Sequence, residues 1–431
     1  MRRAHWVLLI ALVTGAALLT AGCGGSSSSG GKDGSLDLVI GDSAPLSGDL
    51  ADFGPPTQKA ADLAMAQIDA AIERAGVDHN VSLVHEDNCG GSDQQCAVQA
   101  TRKLATSDKS TCIAGPWASS DVVPAAESVA IPEEVVLMLP ASTGAAITDL
   151  KDGPGFVNRT AYRDSFQGSA LANYVAKALG GAAGKTVNIG ARNDAYGTGL
   201  AETFQAAWEK LGGKVGEKVV YDVDLASYDT EAERITSGDP DGTVILDFPE
   251  TYNKVGPALA RTGKLDVATT FMPDGMSAPA VIKSAGANAT VGIRGTVPGL
   301  PKGDPGYVAF DKAYRAAAPK DVARQAYDAQ AFDSVMLCYL AAAAARSSDG
   351  PDIAEHIRAV SGPPGKKYGW LDLAEAIEAL QRGEEIDYQG VSGPIDLDDN
   401  GDPSAGIFDI FRFERDGTME IVDQIPVEAP S

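Results

Sequence analysis

The chain has 431 residues, with 59 acidic side chains against 35 basic ones and a formal charge of −24. Such a balance excludes nucleic acid and anionic membrane surfaces as natural partners. The length is too great for one small core and suits two domains.

The chain opens Met1-Arg2-Arg3 and then runs apolar from Trp6 to Ala21. A charged start followed by a short apolar run is the pattern of a secretory leader, here residues 1–22. Small residues lead into Cys23, as in a bacterial lipoprotein signal, in which the cysteine carries the lipid. A Gly/Ser-rich stretch over 23–35 cannot bury a core and reads as a flexible tether. No later segment is apolar for long enough to span a bilayer. An extracytoplasmic protein held at the membrane by a lipid on Cys23 is therefore expected.

From residue 36 short β-branched runs alternate with helical periods. Strands are predicted at Leu36–Gly41, Val81–His85, Thr111–Gly115 and Val135–Leu139, with helices near 57–75, 94–107 and 120–130. The pattern restarts with a helix at 164–179 and strands at Thr186–Ala191, Val215–Tyr221, Thr243–Asp247 and Ala268–Met272. Helices between these strands are predicted at 198–211, 229–236 and 253–262, and longer ones at 306–317, 325–346 and 371–382. The tail from Val391 to Val427 reads as short strands with Asp-Asn-Gly and Arg-Asp-Gly turns. Two strand–helix series imply an α/β protein with two doubly wound parallel-sheet lobes. A ligand of such sheets lies beyond the carboxyl ends of the strands, so the cleft between the lobes is the expected site.

Four cysteines follow Cys23, and in an exported chain they allow two disulfides in three connectivities. Cys89 and Cys96 flank a short Gly-Gly-Ser-Asp loop and are the favoured pair; Cys112 with Cys338 then follows by elimination. Enzyme signatures are missing. Neither H-E-x-x-H nor G-x-S-x-G occurs, and the Gly-Lys-Thr at 184–186 has Leu179 where a phosphate loop needs glycine. No catalytic residue, cofactor or metal is expected. Asp396, Asp398 and Asn400-Gly401 copy half a calcium loop, but position twelve is Ile407, so a hairpin turn is expected.

Ile40-Gly-Asp-Ser-Ala-Pro-Leu-Ser-Gly48 with Phe53-Gly54 resembles the opening of the type I periplasmic binding proteins of the Leu/Ile/Val-binding class. Glu86-Asp-Asn-Cys89, Gly115-Pro-Trp-Ala-Ser-Ser120, Pro140-Ala-Ser-Thr143, Asn193-Asp-Ala-Tyr-Gly-Thr-Gly199 and Met272-Pro-Asp-Gly275 follow in the family's order, and the likeness covers about 36–425. The resemblance implies three chain crossings between lobes, with lobe one at 36–160 and 297–394 and lobe two at 161–296 and 395–431. It implies a monomer that binds an amino acid or similar solute and delivers it to an ABC-type permease. A ligand-sensing component is the alternative role; amide, urea-like or aromatic acid solutes are the alternative ligands.

The resemblance also implies a site. Ser119, before a helix, would meet the α-carboxylate, for which helix N–H groups are suited. The Ala141 carbonyl and Thr143 hydroxyl would take the ammonium and carboxylate. Asp274 would pair with the ammonium, where the best-known members carry glutamate. Tyr196 and Tyr252 would close from lobe two, and Phe53 and Trp117 would shape the side-chain pocket. Trp117 is a departure, since aliphatic-binding members have a smaller residue there.

Overall fold

The computed structural model describes residues 35–153, 155–317 and 322–428. The leader, Cys23 and nearly all of the tether lie outside the described residues. The first lobe runs β1 (Leu36–Ala44), α1 (Gly54–Ala75), β2 (His79–Asp87), α2 (Gln94–Arg102), β3 (Cys112–Ala114), α3 (Ser119–Ala125), β4 (Val136–Leu139), α4 (Ala145–Thr148) and β5 (Val157–Arg159). The strands form one parallel sheet in the order β2-β1-β3-β4-β5. Local chemistry sets the ends of α1: Pro55 and Pro56 sit in its first turn, and Gly76 stops it in a left-handed conformation at φ 65°.

The chain then crosses to the second lobe, which runs α5 (Asp164–Ala178), β6 (Thr186–Arg192), α6 (Ala195–Lys210), β7 (Lys214–Tyr221), α7 (Asp229–Ile235), β8 (Gly242–Leu246), α8 (Pro249–Arg261), β9 (Thr270–Met272), α9 (Ala280–Ala285) and β10 (Arg294–Pro298). It returns to lobe one with α10 (Pro305–Ala317), α11 (Asp328–Ala345), α12 (Gly350–Ser361), β11 (Lys366–Gly369), α13 (Leu373–Gln381), β12 (Ile386–Gly390) and β13 (Gly393–Pro394). A third crossing delivers β14 (Ala405–Phe413) and β15 (Met419–Glu428) to the second sheet. That sheet has the order β15-β14-β10-β9-β8-β6-β7; β6 to β10 are parallel, while β14 and β15 are antiparallel additions. Strands β11 to β13 make a small separate sheet.

Helix α11 is buried along almost its whole length and mostly apolar from Val335 onward, which suits a helix enclosed by the sheet, α1 and α12. It begins at Asp328, three residues later than the periodicity suggests, because Tyr327 turns the backbone left-handed at φ 69°. The tail also differs from expectation. Its strands are nine and ten residues long and pair around the Arg415-Asp416-Gly417 turn. The Asp-Asn-Gly turn closes by Leu397 bridging Pro403. Its carboxylates serve arginines: Asp402 accepts from buried Arg159, and Arg163 reaches Asp402 at 3.3 Å and Asp398 at 3.5 Å.

Both disulfides form, Cys89–Cys96 with Cα atoms 6.0 Å apart and Cys112–Cys338 with 5.7 Å. The second joins β3 to the middle of α11 across 226 residues, the first closes a loop of seven. Loop-closure entropy then gives about 5 kcal/mol for the long bridge and about 2 kcal/mol for the short one. Urea unfolding of the two double-alanine variants should show Cys112→Ala/Cys338→Ala as clearly the less stable; equal losses would contradict this ranking.

Candidate functional site

In each sheet the strand order reverses once, between β1 and β3 in lobe one and between β6 and β8 in lobe two. Loops leaving the carboxyl ends of adjacent strands part at such a point and open a crevice. The two crevices face one another, and a cavity lies between them. Lobe one lines it with Leu50 and Phe53 after β1, Trp117 and Ser119 after β3, Ala141 after β4, and Tyr327 before α11. Lobe two adds Tyr196 after β6, Phe248 after β8, and Asp274 and Gly275 after β9. Close approach of backbone makes this geometry possible. A Cβ on Gly115, at φ +120°, would stand 2.4 Å from the Ser43 carbonyl oxygen, so only glycine lets the loop after β3 lie against the end of β1.

The cavity spans about 310 Å³ including space open to solvent, and apart from Ala141 every residue lining it is buried. An amino-acid-sized solute enters only if the lobes part.

Asp274 is the polar centre. It is 2% exposed and accepts the Tyr196 hydroxyl at 2.7 Å from its own lobe and the Tyr327 hydroxyl from the opposite lobe. Burial raises its pKa, and these hydrogen bonds oppose the rise. Tyr196 stacks on Phe248 with ring centroids 4.8 Å apart. Behind Phe248, buried Arg192 lies over the ring at 4.0 Å and crosses to Asp49 of lobe one at 2.6 Å, while also holding Asp194 at 2.6 Å. Ser119 begins a helical run through residue 130, and its Oγ accepts the Gly144 N–H at 3.0 Å.

Six of the eight sequence-derived residues meet at this cavity: Phe53, Trp117, Ser119, Ala141, Tyr196 and Asp274. Thr143 is fully buried just behind it, and its carbonyl accepts from the Asp164 N–H at 2.9 Å. Tyr252 is not brought to the cavity. It sits within α8, packed in lobe two, with its hydroxyl donating to the Ala289 carbonyl at 2.6 Å. Phe248, one helical turn earlier at the end of β8, takes the lining place. Sequence reasoning missed Phe248 although it directly follows a predicted strand. It missed Tyr327 because helical periodicity ran through it, and no signal in the sequence marks its left-handed backbone.

Asp164 was also missed. Its carboxylate is fully buried, and burial pushes its pKa up to about 7, with the Thr143 hydroxyl opposing the rise and nearby Asp274 adding to it. Asp121 and Asp247 are raised to about 7 by the same cause.

Two facing α/β lobes with a cavity across their switch points define a solute-binding protein that closes on its ligand. The sequence model of the family described as "Periplasmic binding protein" matches residues 38–403, and the chain belongs to that family. It is 27% identical over 375 residues to a chemotactic signal transduction system substrate-binding protein of Halobacterium salinarum, covering 86% of this chain and 85% of that one. It is 27% identical to a Leu/Ile/Val-binding protein homolog of Brucella melitensis, covering 88% and 92%. A leucine binding protein from Thermotoga maritima shares the fold with a TM-score of 0.72 at 24% identity, covering 90% of this chain and 98% of that one.

The buried carboxylates make stability depend on pH. Because the folded pKa values of Asp164, Asp121 and Asp247 lie near 7, above the ordinary aspartate value of 3.8, the folded state binds more protons between these values. Their stabilisation is complete below about pH 4 and is lost as pH rises to about 7. The ligand-free protein should therefore melt at a lower temperature at pH 8 than at pH 5, and Asp164→Asn should narrow the difference. Melting curves at both pH values check this, and an unchanged gap in the variant would contradict it.

Proposed function

We propose that this chain is an extracytoplasmic receptor that closes on a small amino acid, or a solute like one, and presents it to an ABC-type permease. One observation supports the ligand class above the others. The cavity contains the buried carboxylate of Asp274 and, among the described residues, no basic side chain in its lining. A buried carboxylate is costly unless a cation or hydrogen bonds compensate it. Two tyrosine hydroxyls compensate in part, and an ammonium group would complete the arrangement. In this reading Asp274, with Asp164 behind it, attracts the ammonium. Ser119, the start of its helix and the Thr143 hydroxyl meet the carboxylate, while the Ala141 carbonyl accepts from the ammonium. Phe53, Leu50 and Trp117 surround the side chain, while Tyr196, Phe248 and Tyr327 cover the ligand on closure. The lipid on Cys23 and the Gly/Ser tether would keep the receptor beside its permease. The names of the Brucella and Thermotoga relatives agree with an amino-acid ligand.

A second reading is a ligand-sensing component of a signalling system. The chemotactic name of the Halobacterium relative favours it. Deleting the gene separates the two: loss of solute uptake marks transport, and loss of the response to that solute with uptake intact marks sensing.

A thermal-shift panel of free amino acids, small amides and aromatic acids tests the ligand class, since any solute that binds only the folded state raises the melting temperature. A shift with amino acids is expected. A shift confined to amides or aromatic acids would overturn the ammonium site. Asp274→Ala should weaken the amino acid found by at least tenfold, about 1.4 kcal/mol, as for loss of a desolvated charge pair. Unchanged affinity in titration calorimetry would contradict the role given to Asp274.

A further inference from the structure

We infer that the preferred solute carries a neutral oxygen acceptor on its side chain, and that the indole N–H of Trp117 selects it. The inference rests on the amino-acid reading above and narrows it. Trp117 is 2% exposed and lines the cavity. Its ring is held by aromatic neighbours, Phe53 at 6.4 Å between centroids and Tyr327 edge-on at 6.0 Å. Its backbone is fixed as well, because its carbonyl accepts the Ser142 hydroxyl at 2.8 Å. Yet Nε1 is buried and has no hydrogen-bond partner among the described residues.

The other two described tryptophans show how this chain treats an indole used only for packing. Trp208 donates to the Lys214 carbonyl at 3.0 Å, and Trp370 donates to the Gly306 carbonyl at 3.0 Å. Only the tryptophan in the cavity keeps a spare donor. A buried donor without a partner is destabilising, whereas the same donor facing a ligand oxygen becomes a discriminating contact. The other polar groups of the cavity have their own tasks: both tyrosine hydroxyls donate to Asp274, and Ser119, whose Oγ receives the Gly144 N–H, keeps its own O–H for the α-carboxylate.

An aliphatic side chain closing against Trp117 would leave the N–H unsatisfied. A side-chain carboxylate would satisfy it but would add a second negative charge beside Asp274, with no basic side chain among the described lining residues to offset it. A hydroxyl or carboxamide meets both requirements. The substrate class is therefore a small neutral polar amino acid rather than leucine, isoleucine or valine.

Titration calorimetry on the intact protein with near-isosteric pairs tests this. Threonine against valine and asparagine against leucine change the acceptor while nearly conserving shape. Wild-type protein should bind the oxygen-bearing member of at least one pair tenfold or more tightly. Trp117→Phe, which keeps an aromatic ring and removes the N–H, should bring that ratio to within threefold of unity while still binding the aliphatic member. The wild-type comparison stands even if the variant does not fold. Valine and leucine binding wild type as tightly as their partners would overturn the inference and leave the amino-acid reading intact. So would a preference that survives in Trp117→Phe, or a uniform loss of affinity for every amino acid, which would place the indole on the shared carboxylate. Binding of no amino acid at all would overturn the amino-acid reading and this inference together.

Discussion

The carboxylate of Asp274 stands where two separately folded lobes meet, and the geometry of the site depends on keeping it satisfied there. It takes one hydroxyl from Tyr196 in its own lobe and another from Tyr327 across the cleft. Withdrawing a carboxylate from water costs several kcal/mol even after relaxation. The closed arrangement therefore holds only while donors from both sides reach it. Parting the lobes would remove Tyr327 and admit water, and the proposed cationic ligand would restore the compensation when they close again. Tyr327 reaches the carboxylate from a left-handed backbone position immediately before α11. A bulky residue at positive φ is uncommon and unfavourable, and such positions gather where function needs a side chain aimed in one direction. Rigid α11, buried along its length and bonded to β3 through Cys338, fixes that aim.

Around this centre the fold repeats one device twice. Each sheet reverses its strand order once, and the loops beyond that point supply the cavity walls. Lobe one brings the start of a helix at Ser119 and a small carbonyl-bearing loop at Ala141. Lobe two brings an aromatic stack and the carboxylate. The electropositive helix start at Ser119 thus lines the same cavity as the Asp274 carboxylate, which suits a ligand with opposite charges at its two ends. Arg192 adds a contact between lobes through Asp49. Asp402 anchors Arg159, whose guanidinium donates to the Ser142 and Gly144 carbonyls at 3.3 and 3.2 Å. The third crossing is in this way tied to the loop that carries Ala141 and Thr143.

Much of this was legible in the sequence. Strand–helix alternation is a strong periodic signal, and it placed the two series of strands and most helices close to their observed positions. Phe53, Trp117, Ser119, Ala141, Tyr196 and Asp274 all follow strand ends, where the topology itself directs attention. Tyr252 was misplaced because an aromatic residue inside an amphipathic helix looks the same whether it faces a cleft or a core; here Ala289 takes its hydroxyl. Strands β5 and β10 were not anticipated: β5 includes Asn158 and Arg159, and β10 begins with arginine and ends in proline, so neither reads as a β-branched run. Tyr327 and Asp164 enter the site through a backbone turn and a burial pattern that exist only once the chain is folded. The unpaired indole nitrogen of Trp117 is likewise a property of packing and not of sequence.

The most direct test of a carboxylate shared between closing lobes is small-angle X-ray scattering of the protein with and without saturating ligand. The radius of gyration should fall when ligand is added to the wild type, and should not fall in Asp274→Asn at a concentration that saturates the wild type. Ligand that binds the wild type with no change in radius of gyration would contradict closure around Asp274.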